Sequence, residues 1–73
     1  MSNEPSLSGK KLIKILAGFG FEVVRIKGSH HFLRHADGRT TIIPVHSNED
    51  IGKGLLRKIL VDCDLTADDV TNI

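Results

Sequence analysis

The chain has 73 residues, enough for one small domain with little material for a deep substrate cavity. A single cysteine and the lack of any run of about 20 apolar residues argue against a disulfide-stabilised secreted domain and a transmembrane helix. The net charge is +1, but residues 1–46 hold seven Lys and Arg against three acids, whereas residues 47–73 hold three against six. We therefore expect a cytoplasmic domain without membrane association, whose basic half is either a surface for a polyanion or ordinary solvated surface.

The first predicted element is a helix over residues 9–18, after a lead-in of residues 1–7 that we expect to be flexible. Ser8 is placed to cap its first turn, and Gly20 to end it in the left-handed conformation. Its apolar face has helical spacing and consists of Leu12, Ile15, Leu16 and Phe19.

Three strands are predicted next: the first and third are rich in β-branched residues, and the second lies between two turn signals. The predicted strands are Phe21–Ile26, His30–His35 and Thr40–Val45. Gly28 and the pair Asp37-Gly38 supply the tight turns between them. Pro44 cannot donate a ladder hydrogen bond, so the third strand lies at an edge or ends there.

A second helix is predicted by apolar residues at helical spacing. These residues are Leu56, Ile59, Leu60 and Cys63. The segment from Ser47 to Asp50 resembles a capping box, but Gly52 and Gly54 are poor helix formers, so we expect the helix to begin near Gly52 or Lys53. Thr66 is placed to cap a short terminal helix.

This element order predicts one α+β domain over residues 1–73, α-β-β-β-α with a short C-terminal helix. Two helices on one face of a three-stranded antiparallel sheet bury their apolar stripes there and leave the other face open. Double-stranded-RNA-binding domains have the same layout and read RNA shape. A shared layout does not fix a function.

Four histidines are the candidate chemical groups: His30, His31, His35 and His46. His31 and His35 have the spacing of a helical ligand pair, but four residues of a strand span roughly 13 Å, which is too far for one ion. We predict no metal site and no cofactor. Strand alternation places His30 and His31 on opposite faces of the sheet. A bulge near Gly28 would decide which of them faces solvent, so the sequence leaves this open.

A solvent-facing histidine in this hairpin could act as an acid or base near neutral pH. RNA supplies its own nucleophile, the 2′-hydroxyl, so a base that removes its proton is sufficient, at a gain of roughly 10²–10⁴-fold. Nearby cations could stabilise charge on the phosphate. The candidate RNA-binding cations are Arg25, Lys27, Arg34 and Arg39.

Three further residues are candidates for support of this site. Gly28 would let the backbone approach the substrate closely. Ser29 either binds a phosphate or holds the turn. His46 is a second catalytic group, a hydrogen-bond partner or a residue at the start of the helix, and the sequence does not choose between these roles.

Several motifs together resemble the HicA (YcfA-like) toxin family, from about Leu12 to about Thr66. They are Lys-Gly-Ser-His-His-Phe at 27–32, Pro-Val-His at 44–46 and Leu-Leu-Arg-Lys-Ile-Leu at 55–60. The resemblance implies an mRNA interferase, the toxin of a type II toxin–antitoxin pair, that cleaves RNA without a metal through a histidine in the second strand. It also implies a HicB-like antitoxin that covers this histidine. The DNA-binding part of such pairs belongs to the antitoxin, so we expect no direct DNA binding here.

Carried onto this chain, the family motif falls on Gly28, Ser29 and His30. The resemblance favours His30 as the catalytic residue, with His31 as the alternative because some members carry the histidine one place later. The chain departs from the family in a longer lead-in and in Gly54-Leu55, where members often have Gly-Thr. Two other functions share the basic hairpin: a non-catalytic RNA-binding module and a protein-interaction domain.

Overall fold

The computed structural model describes residues 7–47 and 49–71, which form three helices and one sheet. The elements in chain order are α1 (Gly9–Gly18), β1 (Phe21–Lys27), β2 (His30–His35), β3 (Thr40–Pro44), α2 (Lys53–Cys63) and α3 (Ala67–Thr71). The predicted α+β order is confirmed, and each predicted strand lies within one residue of the observed one.

Helix α1 begins and buries its apolar face as its sequence predicts. The Ser8 hydroxyl accepts a hydrogen bond from the backbone N–H of Lys11 at 3.1 Å, which satisfies one of the free donors of the first turn. Leu12 and Leu16 have no exposed surface. Gly20 follows the helix at a φ of 97°, the left-handed conformation predicted for it.

The sheet is antiparallel with the strand order β1-β2-β3, so β2 is its central strand. Gly28 closes the first hairpin at a φ of 59°, a conformation that glycine adopts without strain. An irregularity in the pairing of β1 lies between Val23 and Arg25, not near Gly28. The ladder therefore runs undisturbed through His30 and His31, and the alternation of β2 decides which face each of them occupies.

The predicted start of α2 near Gly52 or Lys53 is confirmed, but the capping box predicted from Ser47 does not form. The helix begins at Lys53 after Gly52, and no side chain caps it. Asp50 instead pairs with Ser8 in an isolated β-bridge. The neighbouring backbone N–H of Ile51 donates to the carbonyl of Leu7 at 2.7 Å. Asp50 and Ile51 thus pair with the chain before α1 and separate Ser47 from Lys53, so Ser47 lies too early to cap the helix. Of the lead-in predicted to be flexible, residues 1–6 lie outside the described residues, and Leu7 is buried in the core.

The capping of α3 is reciprocal, as predicted from Thr66. The Thr66 hydroxyl accepts from the N–H of Asp69 at 3.3 Å, and the Asp69 carboxylate accepts from the N–H of Thr66 at 2.8 Å. The short helix places Val70 in the core.

All the helices pack on the same face of the sheet. That face supplies one buried side chain from β1, one from β2 and two from β3, namely Phe21, Leu33, Thr41 and Ile43. The helices supply most of the rest of the core, including Leu12 and Leu16 of α1 and Leu56, Ile59 and Cys63 of α2. No helix among the described residues is long and apolar enough to cross a membrane.

Candidate active site on the open sheet face

The helix-free side of the sheet, here called the open face, carries three rows of side chains across the strands. The strand register and the alternation from buried Leu33 define these rows. They are Glu22–Arg34–Thr40, Arg25–Phe32–Ile42 and Lys27–His30–Pro44. Each row presents residues that lie side by side, close enough for their side chains to interact.

His30 lies on the open face in the row nearest the first hairpin turn. It is exposed, and it pairs across the strands with Lys27 on one side and Pro44 on the other. Within residues 7–47 and 49–71 its ring has no hydrogen-bond or ionic partner. Both ring nitrogens are therefore accessible to a ligand that approaches the open face.

His31 lies on the helix-covered face and is partly buried. Its cross-strand neighbours are Ile26 and Ile43, and its Nδ1 is 3.3 Å from the carbonyl oxygen of Ser29. A ring held by packing and by a backbone carbonyl is typical of a structural histidine. The structure thus gives the two adjacent histidines different surroundings.

Three of the four predicted RNA-binding cations share the open face with His30. Lys27 pairs directly with it, and Arg25 lies one row away with its guanidinium carbon 5.8 Å from the ring centroid of Phe32. Arg34 pairs with Glu22 in the far row. With three cations against one acid, the open face attracts a polyanion.

Arg39, the fourth predicted cation, does not lie on the open face. Its Nε donates to both carboxylate oxygens of Asp37 at 3.0 and 2.8 Å, and its Nη1 donates to the carbonyl of Cys63. Its guanidinium also lies 5.1 Å from the ring centroid of Phe21. The hydrogen bonds from Arg39 hold the pKa of the Asp37 carboxyl below its usual value. Arg39 therefore ties the second hairpin to the end of α2.

Two of the predicted support residues, Gly28 and Ser29, form the first hairpin turn, and the third, His46, follows the strand end that is bonded to it. The carbonyl of Ser29 accepts from the N–H of Val45 at 2.7 Å, which holds the end of β3 against the turn. Gly28 has open space where a Cβ would stand. His46 is exposed one residue beyond Val45 and lines a shallow cavity of about 150 Å³ with Glu49 and Gly52.

Phe32 is an aromatic residue of the open face to which the sequence analysis assigns no role. Strand alternation already places it on the same face as His30, two residues along β2. Its neighbours Arg25 and Ile42 become visible only with the register of all three strands.

A second concavity lies away from this face, between α2 and α3. It is a groove of about 330 Å³ with an apolar floor that includes Leu60 and Leu65, and with Lys53 and Arg57 among its lining residues. Its lining contains no histidine and no carboxylate, so it offers no acid or base. In the part of the chain that the structure describes, no three His, Cys, Asp or Glu side chains gather as a metal site.

The family model of the HicA toxin of bacterial toxin–antitoxin systems matches residues 9–65, which span α1, the whole sheet and α2. The chain belongs to the HicA toxin family. No curated protein matches it. Membership makes the chain the toxin of a toxin–antitoxin system, in a family whose toxins are generally of the nuclease type. The predicted family is confirmed, and Gly28, Ser29 and His30 lie inside the matched segment.

Proposed function

We propose that this HicA toxin is a metal-independent endoribonuclease that cleaves mRNA in the cytoplasm with His30 as its acid–base residue. The observation that carries the proposal is the position of His30, exposed on the open face and paired directly with Lys27. A base and a cation side by side are what an attack by the 2′-hydroxyl on the next phosphate requires.

The proposed reaction uses the substrate's own nucleophile. A ring nitrogen of neutral His30 takes the proton of the 2′-hydroxyl, whose oxygen then forms a bond to the adjacent phosphorus. The bond from phosphorus to the 5′-oxygen breaks, and the leaving oxygen takes a proton from the imidazolium or from water. The products are a 2′,3′-cyclic phosphate and a free 5′-hydroxyl. Lys27 offsets the charge that develops on the phosphate oxygens.

The other histidines considered from the sequence, His31 and His46, are less suited than His30 to the acid–base role. His31 is partly buried on the helix-covered face, with its ring against Ser29 and Ile43, so a phosphate on the open face lies on the other side of the sheet. His46 is exposed beside the turn, where it could hold the leaving nucleotide. We therefore assign the acid–base role to His30 and a supporting role to His46.

We propose a HicB-like antitoxin as the partner that neutralises the toxin. A partner that covers the open face would block His30 and screen the cations of the same surface. The exposed apolar side chain of Ile42, in the row next to His30, would gain from such a cover. Purified antitoxin is expected to suppress cleavage.

Cleavage of a labelled RNA in the presence of EDTA tests the proposed reaction. We expect wild-type protein to leave a 2′,3′-cyclic phosphate or its hydrolysis product, and His30→Ala to lower the rate by roughly 10²-fold or more. His31→Ala serves as the matched control and is expected to cut at a near wild-type rate per folded molecule. If both single variants cut as fast as the wild type, the proposal is wrong. RNA that binds the wild type and stays intact would favour the non-catalytic RNA-binding module.

A further inference from the structure

The middle row of the open face joins an aromatic ring, a guanidinium and an exposed aliphatic side chain. Phe32 is central, with Arg25 across from it on β1 and Ile42 across from it on β3. Ile42 is 46% exposed although it lies at the centre of a strand. The helices pack on the opposite face and do not cover this row, in which Phe32 is partly buried among its neighbours and Arg25 and Ile42 are exposed.

We propose that Phe32, Arg25 and Ile42 form a binding platform for one unpaired nucleobase of the RNA, beside the phosphate at His30. The proposal rests on the proposed function for its substrate and adds a base-binding site to it. Aromatic side chains on an open sheet hold bases by stacking, and a guanidinium at the ring strengthens the contact. The row adds the apolar surface of Ile42, on which a flat base loses contact with water.

The distance along β2 links the platform to the proposed chemistry. Phe32 and His30 are two residues apart on one strand face, about 7 Å. A base that stacks on Phe32 therefore belongs to the nucleotide at the cleaved bond or to its neighbour. The ribose and phosphate of that nucleotide then reach the row of His30 and Lys27.

The platform has a consequence for substrate class. In a duplex each base is paired and stacked on its neighbours, so its face is not free to lie on Phe32. A-form helices are instead recognised through backbone and 2′-hydroxyl contacts. The open face also carries the positive balance that a nucleic acid backbone requires, with three cations against one acid. These features select single-stranded RNA, although the fold resembles that of double-stranded-RNA-binding domains.

Binding of a fluorescent single-stranded oligonucleotide tests the platform without cleavage. The probe is a 12-nucleotide RNA with 2′-O-methyl riboses, which lack the nucleophile, and anisotropy gives its Kd. We expect Phe32→Ala and Phe32→Leu to weaken binding about 10-fold and Phe32→Tyr to preserve it within about twofold. Val61→Ala, at an exposed apolar residue of α2, is the matched control and leaves Kd unchanged. Thermal unfolding confirms that each variant is folded.

An abasic nucleotide separates stacking from a general loss of affinity. Scanned along the probe, an abasic site at one position is expected to weaken wild-type binding about as much as Phe32→Ala does, and to leave the Kd of Phe32→Ala unchanged. The same sequence as a duplex is expected to bind at least 10-fold more weakly than the single strand.

Three results would overturn the platform: wild-type affinity of Phe32→Leu, an abasic penalty that persists in Phe32→Ala, or equal affinity for the duplex. A fourth is a loss of antitoxin binding by Phe32→Ala with oligonucleotide binding unchanged, which would make this row a protein interface. Because the probe cannot be cleaved, its Kd measures binding to the platform independently of the cleavage reaction. Failure of His30→Ala to slow cleavage of ordinary RNA would count against the acid–base role alone.

Discussion

The Nε atom of Arg39 donates to both carboxylate oxygens of Asp37 at the tip of the second hairpin, at 3.0 and 2.8 Å. The same side chain reaches the carbonyl of Cys63 at the end of α2. Arg34, five residues earlier, instead points from the open face toward solvent. One arginine of the hairpin therefore holds the fold together, and the other is free for a ligand.

We expect Arg39→Ala and Arg34→Ala to affect different properties, stability and RNA binding respectively. Arg39→Ala removes the link between the hairpin and α2, so it lowers the midpoint of thermal unfolding and leaves RNA affinity of the folded protein unchanged. Arg34→Ala leaves the midpoint unchanged and weakens RNA binding, and the slope of log K against log salt falls by about 1. Anisotropy at several salt concentrations measures the slope. An equal loss of slope in both variants would show that Arg39 also contacts RNA.

Substitutions of the two adjacent histidines are expected to differ in their effect on stability as well as on activity. His31→Ala removes a partly buried ring and its contact with the Ser29 carbonyl, which lowers the free energy of unfolding by about 1 kcal/mol. His30→Ala removes an exposed side chain without a partner among the described residues and changes that free energy by less than about 0.5 kcal/mol. Urea unfolding measures both. A larger loss in His30→Ala would show that its ring supports the sheet.

The strands and the first helix were predictable because local patterns determine them. Alternation, β-branched residues and turn glycines place each strand to within one residue, and the spacing of Leu12 and Leu16 defines the buried face of α1. The start of α2 at Lys53 was also predictable, from the poor helix formers Gly52 and Gly54, but the fate of the predicted capping box was not. Asp50 pairs with Ser8, more than 40 positions away along the chain, and this long-range pairing overrides the local capping signal of Ser47.

The candidate site was predictable as a set of residues but not as a surface. Alternation shows that His30 and His31 face opposite ways, but only the packing of Leu33 under the helices decides which one faces solvent. The number of charges in the sequence does not distinguish Arg34 from Arg39. Their roles differ because Arg39 contacts a distant segment, the end of α2. Phe32 gains its neighbours only from the three-strand register.

The buried thiol of Cys63 is expected to make the folded protein less stable at alkaline pH. Burial, with the charge of Asp62 adding to it, raises the pKa of this thiol to about 11. In the unfolded chain the thiol ionises near pH 8.5. Because the pKa is raised in the folded protein, the contribution of the neutral thiol to the free energy of unfolding is complete below about pH 8.5. It is lost as the pH rises toward the pKa of the folded state.

We therefore expect wild-type protein to lose about 1 kcal/mol more stability than Cys63→Ala between pH 8 and pH 9.5. The lysines titrate in both proteins, so their effect cancels in the comparison. Urea unfolding at the two pH values gives the difference. Parallel losses in the two proteins would mean that the thiol ionises in the folded state as readily as in the unfolded one.

The two ends of α1 carry glycines in different surroundings, Gly9 and Gly18. A Cβ on Gly9 would meet the backbone carbonyl of Pro44, whereas a Cβ on Gly18 would meet nothing within 4 Å. Gly9→Ala must push α1 away from the end of β3, and we expect a loss of about 1–3 kcal/mol in the free energy of unfolding. Gly18→Ala, the matched control, gains up to about 1 kcal/mol because alanine is the better helix former.

The close approach of Gly9 to Pro44 also links α1 to the proposed site. Pro44 pairs with His30 across the sheet, so a displaced β3 in Gly9→Ala is expected to slow RNA cleavage severalfold in molecules that remain folded. Gly18→Ala should cleave at the wild-type rate. Cleavage assays below the unfolding midpoint of each variant measure this effect. If Gly9→Ala cleaves normally while its stability falls, the contact of α1 with Pro44 supports the fold and has no part in positioning His30.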